Sequence, residues 1–464
     1  MRITNPFPGA TIGLTTIMRE ASVLELDAGY HPGPPIRRLS HQDSDEAPAT
    51  FAPSPSALYA IHAFMVLIIP CKNEDPSTLL GVLQGIPHPC TILLVSASRD
   101  PAQYDAEAAL LRDFCRPGGR RGLAIHQRDP VASAALAAAG MAPSLFDYAG
   151  AVRTGKGEGM ILGTAVALAL FPELRYVGFL DADAKMPGAP HEYCRVYATG
   201  FALHHATSRP HKNDDDDVMV RIRWGSKPKP RKDGSGGLDF GVAEGRSSRI
   251  VNEWMNRFVR AAGGGGGEDK IITTGNAGEH AMTMSLARKL QLAGGYAIEP
   301  FHFVDLFMRQ MRATAAASAS ACPSPASLGV PGYDSDVVDT LHLSLSPIQV
   351  VQIKTINAHI HRETDDAHVR NMWKMGLGTL YHHLLPQYIQ SPYVRQDVAE
   401  RMLRLRADME AFVEENNREF SETTPKGQPL LPEPRVYPAL ETLDMEVLRK
   451  TLESSRGSLV RFGF

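Results

Sequence analysis

The sequence predicts an α/β fold in which a mostly parallel sheet carries helices on both faces. From residue 64 onward, short apolar runs alternate with segments of helical spacing, a pattern typical of a parallel sheet covered on both sides. Polar and acidic residues follow several of the apolar runs directly. Because ligands of such sheets bind at the carboxyl ends of the strands, the same pattern predicts a site at one edge of the sheet.

The elements follow from two periodicities and from helix-start signals. An apolar run at 64–69 is the first predicted strand. Asp75-Pro76-Ser77 then marks a helix start, since Asp caps helices and Pro favours their first turn. By the same reasoning we predict strands at 91–96, 123–127, 176–180 and 350–355, and helices at 102–114, 131–139 and 159–170.

Four regions are expected along the 464 residues. They are an N-terminal segment with a surface excursion (1–60), a first α/β half (61–200), a second half with inserted loops (201–366) and a helical C-terminal region (367–464). Low-complexity stretches at 211–217, 263–267 and 313–327, and a Pro/Ser/Asp-rich stretch at 31–56, are more typical of surface loops than of core. In the last region, Met402, Leu405, Met409 and Phe412 recur at helical spacing and predict a packed face.

Composition excludes several classes of protein. The 48 basic and 51 acidic residues nearly balance, so we expect neither nucleic acid nor an anionic membrane as a partner. The five cysteines are scattered without a CxxC pair, which favours a reducing compartment over a disulfide framework. The sequence has no secretory signal pattern and no apolar run long enough for a bilayer. These observations predict a cytoplasmic protein.

The stretch 176–184 carries the strongest chemical signal. An apolar run ends in Asp181 and Asp183, and residues two apart on a strand point the same way. Two such carboxylates can bind a hard divalent cation and leave positions open for phosphate oxygens, as the breaking of a nucleotide-sugar requires. Acidic residues at strand ends are common, so the pair alone is weak evidence for a metal site. The residues around it strengthen that interpretation. We group with the pair the other residues that fall at the carboxyl ends of predicted strands: Pro70, Cys71, Lys72, Asn73, Glu74 and Ser96.

A glycine-rich segment, Arg153 to Met160, opens a predicted helix. Its glycines permit close backbone approach, the helix start offers free amides, and Arg153 and Lys156 add positive charge. It is not a Walker A motif, because Gly-Lys is followed by Gly. A tight turn before a helix is the plain alternative. Because the segment comes shortly before the aspartate pair, it is a candidate binding site for a diphosphate or a phosphorylated acceptor.

Two later segments suit anions and metals. Residues 273–280 combine glycines, an asparagine and hydroxyls that can bind anionic oxygen, and His280 is expected to begin an apolar helix. His359 and His361 follow a predicted strand, and histidines two apart on an extended segment face one side, which suits a metal. A structural role for His280 and ordinary surface positions for the pair remain open. A histidine would complete a site in which Asp183 has no obvious acidic partner.

In their order, these motifs closely resemble mannosyl-3-phosphoglycerate synthases, retaining glycosyltransferases of the GT-A type. The similar segments are 23–29, 70–75, 85–88, 95–96, 153–160, 177–183 and 275–281. The resemblance implies a GT-A fold and transfer of mannose from GDP-mannose to the hydroxyl of 3-phosphoglycerate, with retention at the anomeric carbon. It also implies a divalent metal cofactor, Mg or Mn. The low-complexity stretches fall between the motifs rather than within them.

The resemblance assigns roles to individual residues. Pro70, Cys71, Lys72, Asn73, Glu74 and Ser96 would hold the guanosine, whereas Lys156, Asp181 and Asp183 form the expected catalytic set, the first two contacting the nucleotide-sugar. Asp183 would bind the metal with a histidine, and His361 is favoured over His359 because it precedes Arg362-Glu363, as in the family's segment. The residues assigned to the acceptor are Arg153, Arg246, Thr274, Gly275, Asn276 and His280.

Three rival functions stay open at this stage. A nucleotidyltransferase that makes a sugar nucleotide would release diphosphate rather than GDP. A related glycosyltransferase would use glycerate or another phosphorylated acceptor in place of 3-phosphoglycerate. A non-catalytic nucleotide-sugar-binding protein would bind GDP-mannose without turnover. The sequence is silent on oligomeric state, and a homodimer is compatible with it.

Overall fold

The computed structural model describes most of the chain. It describes residues 1–27, 49–207, 217–231, 237–263, 270–320, 347–361, 365–385, 389, 394–419, 429–454 and 460–463. Residues 31–48 of the predicted surface excursion and most of the low-complexity stretches at 211–217 and 263–267 fall outside these residues. The expectation of a surface loop at 313–327 is wrong for 313–320, which form the end of the helix Ile298–Ser320 because alanine-rich segments favour helix. Residues 321–327 lie outside the described residues.

Strands and helices are numbered in chain order within the described residues. The strands are β1 (Arg2–Thr4), β2 (Pro8–Ile12), β3 (Thr15–Met18), β4 (Ala21–Glu25), β5 (Thr50–Phe51), β6 (Met65–Cys71), β7 (Thr91–Ser96), β8 (Gly122–His126), β9 (Tyr176–Phe179), β10 (Asp217–Arg223), β11 (Lys229–Pro230), β12 (Leu238–Asp239), β13 (His280–Thr283), β14 (Leu292–Ala293), β15 (Ile348–Lys354), β16 (Val436–Tyr437) and β17 (Val460–Phe462). The helices are α1 (Pro55–Ala63), α2 (Pro76–Gly85), α3 (Pro101–Cys115), α4 (Pro130–Ala138), α5 (Lys156–Leu170), α6 (Ala189–Thr207), α7 (Arg246–Ala261), α8 (Met284–Lys289), α9 (Ile298–Ser320), α10 (Asp366–His383), α11 (Gln396–Glu419) and α12 (Met445–Ser454).

One large sheet forms the centre of the fold, in the order β17-β8-β7-β6-β9-β13-β10-β15-β4-β1-β5. Its central strands are parallel except around β13, which runs antiparallel to both β9 and β10. Alternate residues of β6 face two separate apolar clusters. Val66 and Ile68 pack with α5 on one face, and Leu67 and Ile69 pack with α2 and α6 on the other. The predicted α/β fold class, with helices on both faces of a mostly parallel sheet, is confirmed.

Three consecutive helices begin with the predicted signal. Asp75, Asp100 and Asp129 each cap a helix whose first residue is proline, and each carboxylate accepts from backbone amides of the first turn. These are α2, α3 and α4, which follow β6, β7 and β8. Because each helix starts where a strand has just ended, the Asp-Pro signals mark the same edge of the sheet three times.

The C-terminal region is largely helical, as predicted, and Met402 and Met409 on α11 are fully buried. Its last strand, β17, pairs with β8 in the first half, while β3 and β4 from the N-terminal segment pair with β15. A single sheet therefore crosses the expected region boundaries at 60, 200 and 366, and that division stays a prediction. No described helix combines the length and the hydropathy that a membrane crossing requires.

Candidate active site

The aspartate pair lies just beyond the end of β9. That strand ends at Phe179, and Asp181 and Asp183 lie in the turn that follows. The expectation that the two carboxylates share one face of a strand is therefore wrong, because neither residue is on the strand. Both side chains are partly exposed, while Ala182 and Ala184 are buried. The pair is still at the carboxyl edge of the sheet, as predicted.

Lys156, the first residue of α5, is held between two carboxylates. Its Nζ lies 2.6 Å from Asp181 Oδ1 and 2.8 Å from Glu299 Oε1. Burial disfavours the ammonium, but the fields of Asp181, Glu299 and Glu279 outweigh it and hold the pKa of Lys156 well above its ordinary value. The lysine is therefore a fixed positive charge. Sequence reasoning missed Glu299, since no motif surrounds it and only the fold brings α9 to this edge.

Gly278 packs directly against this ion-paired group. A Cβ at this position would contact Lys156 Nζ, lie 2.9 Å from Asp181 Oδ2 and lie 3.0 Å from Glu299 Oε1. All three atoms belong to groups that hold one another in place. The glycine therefore allows the loop backbone to approach the protein's own charged groups closely.

A buried arginine supports the loop that contains Gly278. Arg221 on β10 is fully buried, and its Nε donates to the carbonyl of Thr274 at 3.0 Å. Its Nη2 donates to the carbonyls of Ala277 at 3.3 Å and Glu299 at 3.1 Å. Arg221 thereby ties the loop to the start of α9, which carries one of the two carboxylates around Lys156. No sequence motif signals this role.

The loop residues assigned to the acceptor are largely engaged within the protein. The hydroxyl of Thr274 donates to Gln352 Oε1 at 2.8 Å, and the amide of Gly275 donates to Asn252 Oδ1 at 2.7 Å. Asn276 is 4% exposed, and its Oδ1 has no hydrogen-bond partner within the described residues. Of the three, Asn276 keeps the clearest capacity to bind a ligand.

His280 begins a strand rather than a helix, so that prediction is wrong. The short segment pairs with both β9 and β10, and these long-range backbone bonds decide its conformation. Its ring is fully buried, 4.9 Å from the Phe179 ring centroid and 5.1 Å from that of His302. Burial lowers the pKa of His280 well below its ordinary value. A structural role for His280 fits this buried environment better than a role in binding the acceptor.

The segment that carries the two candidate metal-binding histidines is tied to the aspartate loop. The amide of Lys185 donates to the carbonyl of Ile360 at 2.8 Å. The buried carboxylate of Glu192 on α6 accepts from the amides of Ile356 at 2.7 Å and Asn357 at 2.9 Å. The backbone hydrogen bond between Lys185 and Ile360 therefore joins the loop of Asp183 to the segment of the two histidines. Glu192 gives no signal in the sequence beyond its place in the first turn of a helix.

The two histidines differ in environment. His359 is 3% exposed, and its ring stacks on Trp224 with centroids 4.2 Å apart and planes inclined by 11°. Burial lowers its pKa well below the ordinary value. The ring of His361 lies 5.2 Å from that of His359 and is partly exposed. His361 is the more exposed of the two, and the preference for it as a metal ligand stays a prediction.

The segment predicted to hold guanosine begins within β6 rather than after it, because Pro70 and Cys71 are the last two residues of the strand and pair with β7. Lys72 and Asn73 are exposed, whereas Cys71 is buried. Asn73 has a φ of 53°, and its amide donates to Ser98 Oγ at 2.8 Å. Ser96 is fully buried, and its hydroxyl donates to Glu107 on α3 at 2.5 Å. Ser96 therefore supports the edge of the sheet from inside, and Ser98 and Glu107 are supporting residues that the sequence did not reveal.

The two arginines assigned to the acceptor lie on helix starts. Arg153 precedes α5 and is partly exposed, and Gln127 Nε2 donates to the carbonyls of Arg153 at 2.8 Å and Gly155 at 2.9 Å. Arg246 begins α7, is exposed and forms an ion pair with Asp366. Arg153 is thus held at the same edge as Lys156, while Arg246 is already paired.

Three residues absent from the sequence prediction complete the site. Trp224 Nε1 donates to Glu279 Oε2 at 3.0 Å, and Lys227 Nζ lies 4.5 Å from the centroid of the Trp224 ring. Burial, with a contribution from Asp181, raises the pKa of Glu279 well above its ordinary value. The available signal was positional, because Trp224 and Lys227 follow the apolar run of β10 just as Asp181 follows β9.

Comparison with known proteins identifies the family. Two solved structures align with low scores: mannosyl-3-phosphoglycerate synthase from Rubrobacter xylanophilus (TM-score 0.41, 15% identity, 73% of this chain and 80% of that one) and glucosyl-3-phosphoglycerate synthase from Mycobacterium tuberculosis with Mn²⁺, UDP and phosphoglyceric acid (TM-score 0.40, 16% identity, 70% and 80%). The sequence profile of the family described as mannosyl-3-phosphoglycerate synthase (osmo_MPGsynth) matches residues 7–452.

Two relatives carry the same name. The chain is 32% identical over 401 residues to mannosyl-3-phosphoglycerate synthase of Pyrococcus furiosus, covering 86% of each protein. It is 33% identical over 327 residues to that of Aeropyrum pernix, covering 69% of this chain and 73% of the relative. The protein is a glycosyltransferase, the class that its α/β sheet and its carboxylate-bearing edge indicated. It belongs to the mannosyl-3-phosphoglycerate synthase family, which confirms the resemblance drawn from the motifs.

We expect Gly278→Ala to lower kcat for glycosyl transfer roughly a hundredfold, because the new methyl group displaces Lys156 or Asp181 from the arrangement described above. The matched control is Gly81→Ala on α2, where a Cβ would meet nothing within 4 Å. That control should keep wild-type kinetics and gain stability by about 0.5–1 kcal/mol. Steady-state kinetics and thermal unfolding of both variants check the prediction, and equal kinetics in the two would contradict it.

Proposed function

We propose that this glycosyltransferase moves mannose from GDP-mannose to the hydroxyl of 3-phosphoglycerate with retention, releasing GDP. The family and its two named relatives support the product, and the exposed loop after β6 supports a nucleotide-bearing donor. The observation that carries the proposal is the ammonium of Lys156, fixed by Asp181 and Glu299 beside the Asp183 turn. The ammonium offsets part of the charge of these two carboxylates at the sheet edge, where a diphosphate would lie.

In this proposal the donor binds along the carboxyl edge of the first half. Lys72 and Asn73 contact the guanosine through their exposed side chains, and the bond from Asn73 to Ser98 keeps the loop in one conformation. Lys156 screens the two carboxylates from the anionic nucleotide-sugar, and Asp181 keeps the ammonium in position while offering its second oxygen to the sugar. Their contribution to rate is preorganised charge, which costs no rearrangement during the reaction.

In this proposal Asp183 and His361 hold a divalent cation, Mg or Mn. Within the described residues no three His, Cys, Asp or Glu side chains form a closed metal site. A carboxylate and an imidazole on two joined loops suit a cation that takes its remaining ligands from substrate phosphate and water. When bound, such a cation would supply charge stabilisation to the leaving diphosphate. His359, stacked on Trp224, supports the loop.

Retention needs no carboxylate nucleophile in this scheme. Retaining glycosidases use two closely placed carboxyl groups, one of which attacks the sugar. Here Asp181 and Glu299 are both ion-paired with Lys156, and Glu279 is fully buried. The acceptor hydroxyl would instead attack from the face that the diphosphate leaves, and a departing phosphate oxygen would take its proton. Positioning of the two substrates supplies most of the acceleration.

The proposal is tested by one assay with paired acceptors. Purified protein is given GDP-mannose with Mg²⁺ or Mn²⁺, and 3-phosphoglycerate or glycerate is added in parallel. We expect GDP release with 3-phosphoglycerate and a product whose NMR spectrum has the anomeric configuration of the donor. Release of diphosphate, preferential use of glycerate, or tight GDP-mannose binding without turnover would each contradict the proposal and favour one of the rival functions.

A further inference from the structure

Lys227 places an ammonium group at the site. Its backbone amide donates to the carbonyl of Val242 at 2.7 Å, and its ammonium lies 4.5 Å from the centroid of the Trp224 ring. In the part of the chain that the structure describes, no ion pair joins Lys227 to a carboxylate. By contrast, Lys156 and Arg223 nearby are both paired with glutamate or aspartate. A cation held this way is available to an anionic ligand.

A helix start lies beside this ammonium. Gly245 is the N-cap of α7, a helix of 16 residues, and makes no side-chain cap hydrogen bond. A Cβ on Gly245 would lie 2.9 Å from Lys227 Cδ and 3.5 Å from Lys227 Nζ. The first amides of α7 are therefore close to the lysine, and amides at a helix start favour anions. The neighbouring carboxylate of Glu244 is turned toward Arg223 and Asn252.

An unsatisfied buried amide lies at the same place. Asn276 is 4% exposed, and its Oδ1 has no hydrogen-bond partner among the described residues. Its Nδ2 lies 3.1 Å from the hydroxyl of Ser247, the second residue of α7. Trp224, Ser248 and Asn276 also line one small cavity. A ligand with both a phosphate and a hydroxyl would satisfy the ammonium, the helix amides and this side chain together.

The position of Lys227 separates it from the donor loops. Lys227 follows β10, and two strands, β9 and β13, lie between β10 and β6, whose end carries the exposed Asn73. The Trp224 ring under the ammonium stacks on His359 and donates to Glu279. The lysine is thus fixed relative to the histidine loop but lies on the second half of the sheet. That is the side left for an acceptor when the donor occupies the first half.

We propose that Lys227, with the first amides of α7, binds the phosphate group of the acceptor and makes the enzyme select phosphorylated over unphosphorylated glycerate. The inference rests on the proposed function, since it assumes that the acceptor of this site is 3-phosphoglycerate. Ammonium groups and helix starts are common phosphate ligands, and a charge-assisted hydrogen bond contributes more than a neutral one.

The test compares Lys227→Met with Lys229→Met in the full-length enzyme. Methionine keeps the apolar stem that packs on Trp224 and Gly245, and Lys229 loses the same charge from an exposed position on β11. We expect Lys227→Met to weaken 3-phosphoglycerate binding about 10- to 100-fold by calorimetry. The KM for 3-phosphoglycerate should rise by a similar factor. The KM for GDP-mannose should change less than about threefold, and glycerate binding should weaken far less than 3-phosphoglycerate binding. Lys227→Arg should restore part of the loss.

The other possible results would overturn either this inference or the proposed function, and they can be told apart. If Lys227→Met binds 3-phosphoglycerate as tightly as Lys229→Met does, the inference is wrong while the proposed function stands. A matching loss of GDP-mannose affinity would assign the lysine to the donor, and an equal loss for glycerate would assign it to the carboxylate; both overturn the inference. If the wild-type enzyme releases no GDP with 3-phosphoglycerate, the proposed function itself fails.

Discussion

Replacing Lys156 by methionine is expected to lower kcat for mannosyl transfer on the order of a thousandfold, the upper range for removing one preorganised charge donor. Lys156 Nζ is fixed by Asp181 at 2.6 Å and Glu299 at 2.8 Å, so the wild-type charge is in position before substrate arrives. Without it, the two carboxylates would face the anionic donor unscreened. Steady-state kinetics with saturating GDP-mannose measure the effect.

The same substitution should also destabilise the fold. The side chains of Lys156 and Glu299 are 16% and 3% exposed, so the glutamate would keep a largely buried charge without its partner. Breaking a buried ion pair from one side costs about 3–5 kcal/mol, part of which protonation of a carboxyl group can recover. Urea unfolding of Lys156→Met and of the exposed control Lys450→Met provides the comparison. A loss of less than tenfold in kcat would show that the fixed ammonium is not central to catalysis.

Much of the fold was predictable because its signals are local. The Asp-Pro helix starts at 75, 100 and 129 and the apolar runs of β6, β7 and β8 belong to short windows of sequence. The segment at His280 was not predictable in this way. It is a four-residue strand whose conformation depends on pairing with β9 and β10, so neither periodicity nor helix-start chemistry could identify it.

The sequence was sufficient to place the site at one edge of the sheet, but not to identify all of its residues. Asp181, Lys156 and the loop after β6 meet where the carboxyl ends of parallel strands meet, which is a consequence of the fold class. Glu299 and Lys227 were missed because they come from distant segments without a motif, and only the folded chain brings them to this edge.

Roles assigned to hydrogen-bonding groups were the least predictable. Thr274 and Gly275 have the donors that an anion needs, but both donate to side chains of the protein itself. A sequence displays which groups can donate, whereas the folded chain decides which of them remain available. The same reason explains why Ser96, assigned to guanosine, is found bonded to the buried Glu107.

Asp183→Asn carries the second large expected effect. Asparagine keeps the volume of the side chain and removes its charge, so the turn after β9 should remain folded. The proposal needs that charge next to His361 for the divalent cation, on the loop joined to the histidine segment by the Lys185–Ile360 bond. The control is Asp113→Asn on α3, whose side chain is 67% exposed and pairs with its neighbour Arg112.

Initial rates of GDP release from GDP-mannose and 3-phosphoglycerate, at saturating Mg²⁺ or Mn²⁺, compare wild type with these two variants. Loss of a charge that stabilises the leaving group should slow Asp183→Asn at least about a hundredfold, while Asp113→Asn should match wild type. Wild-type turnover by Asp183→Asn under saturating metal would contradict a catalytic site at the end of β9.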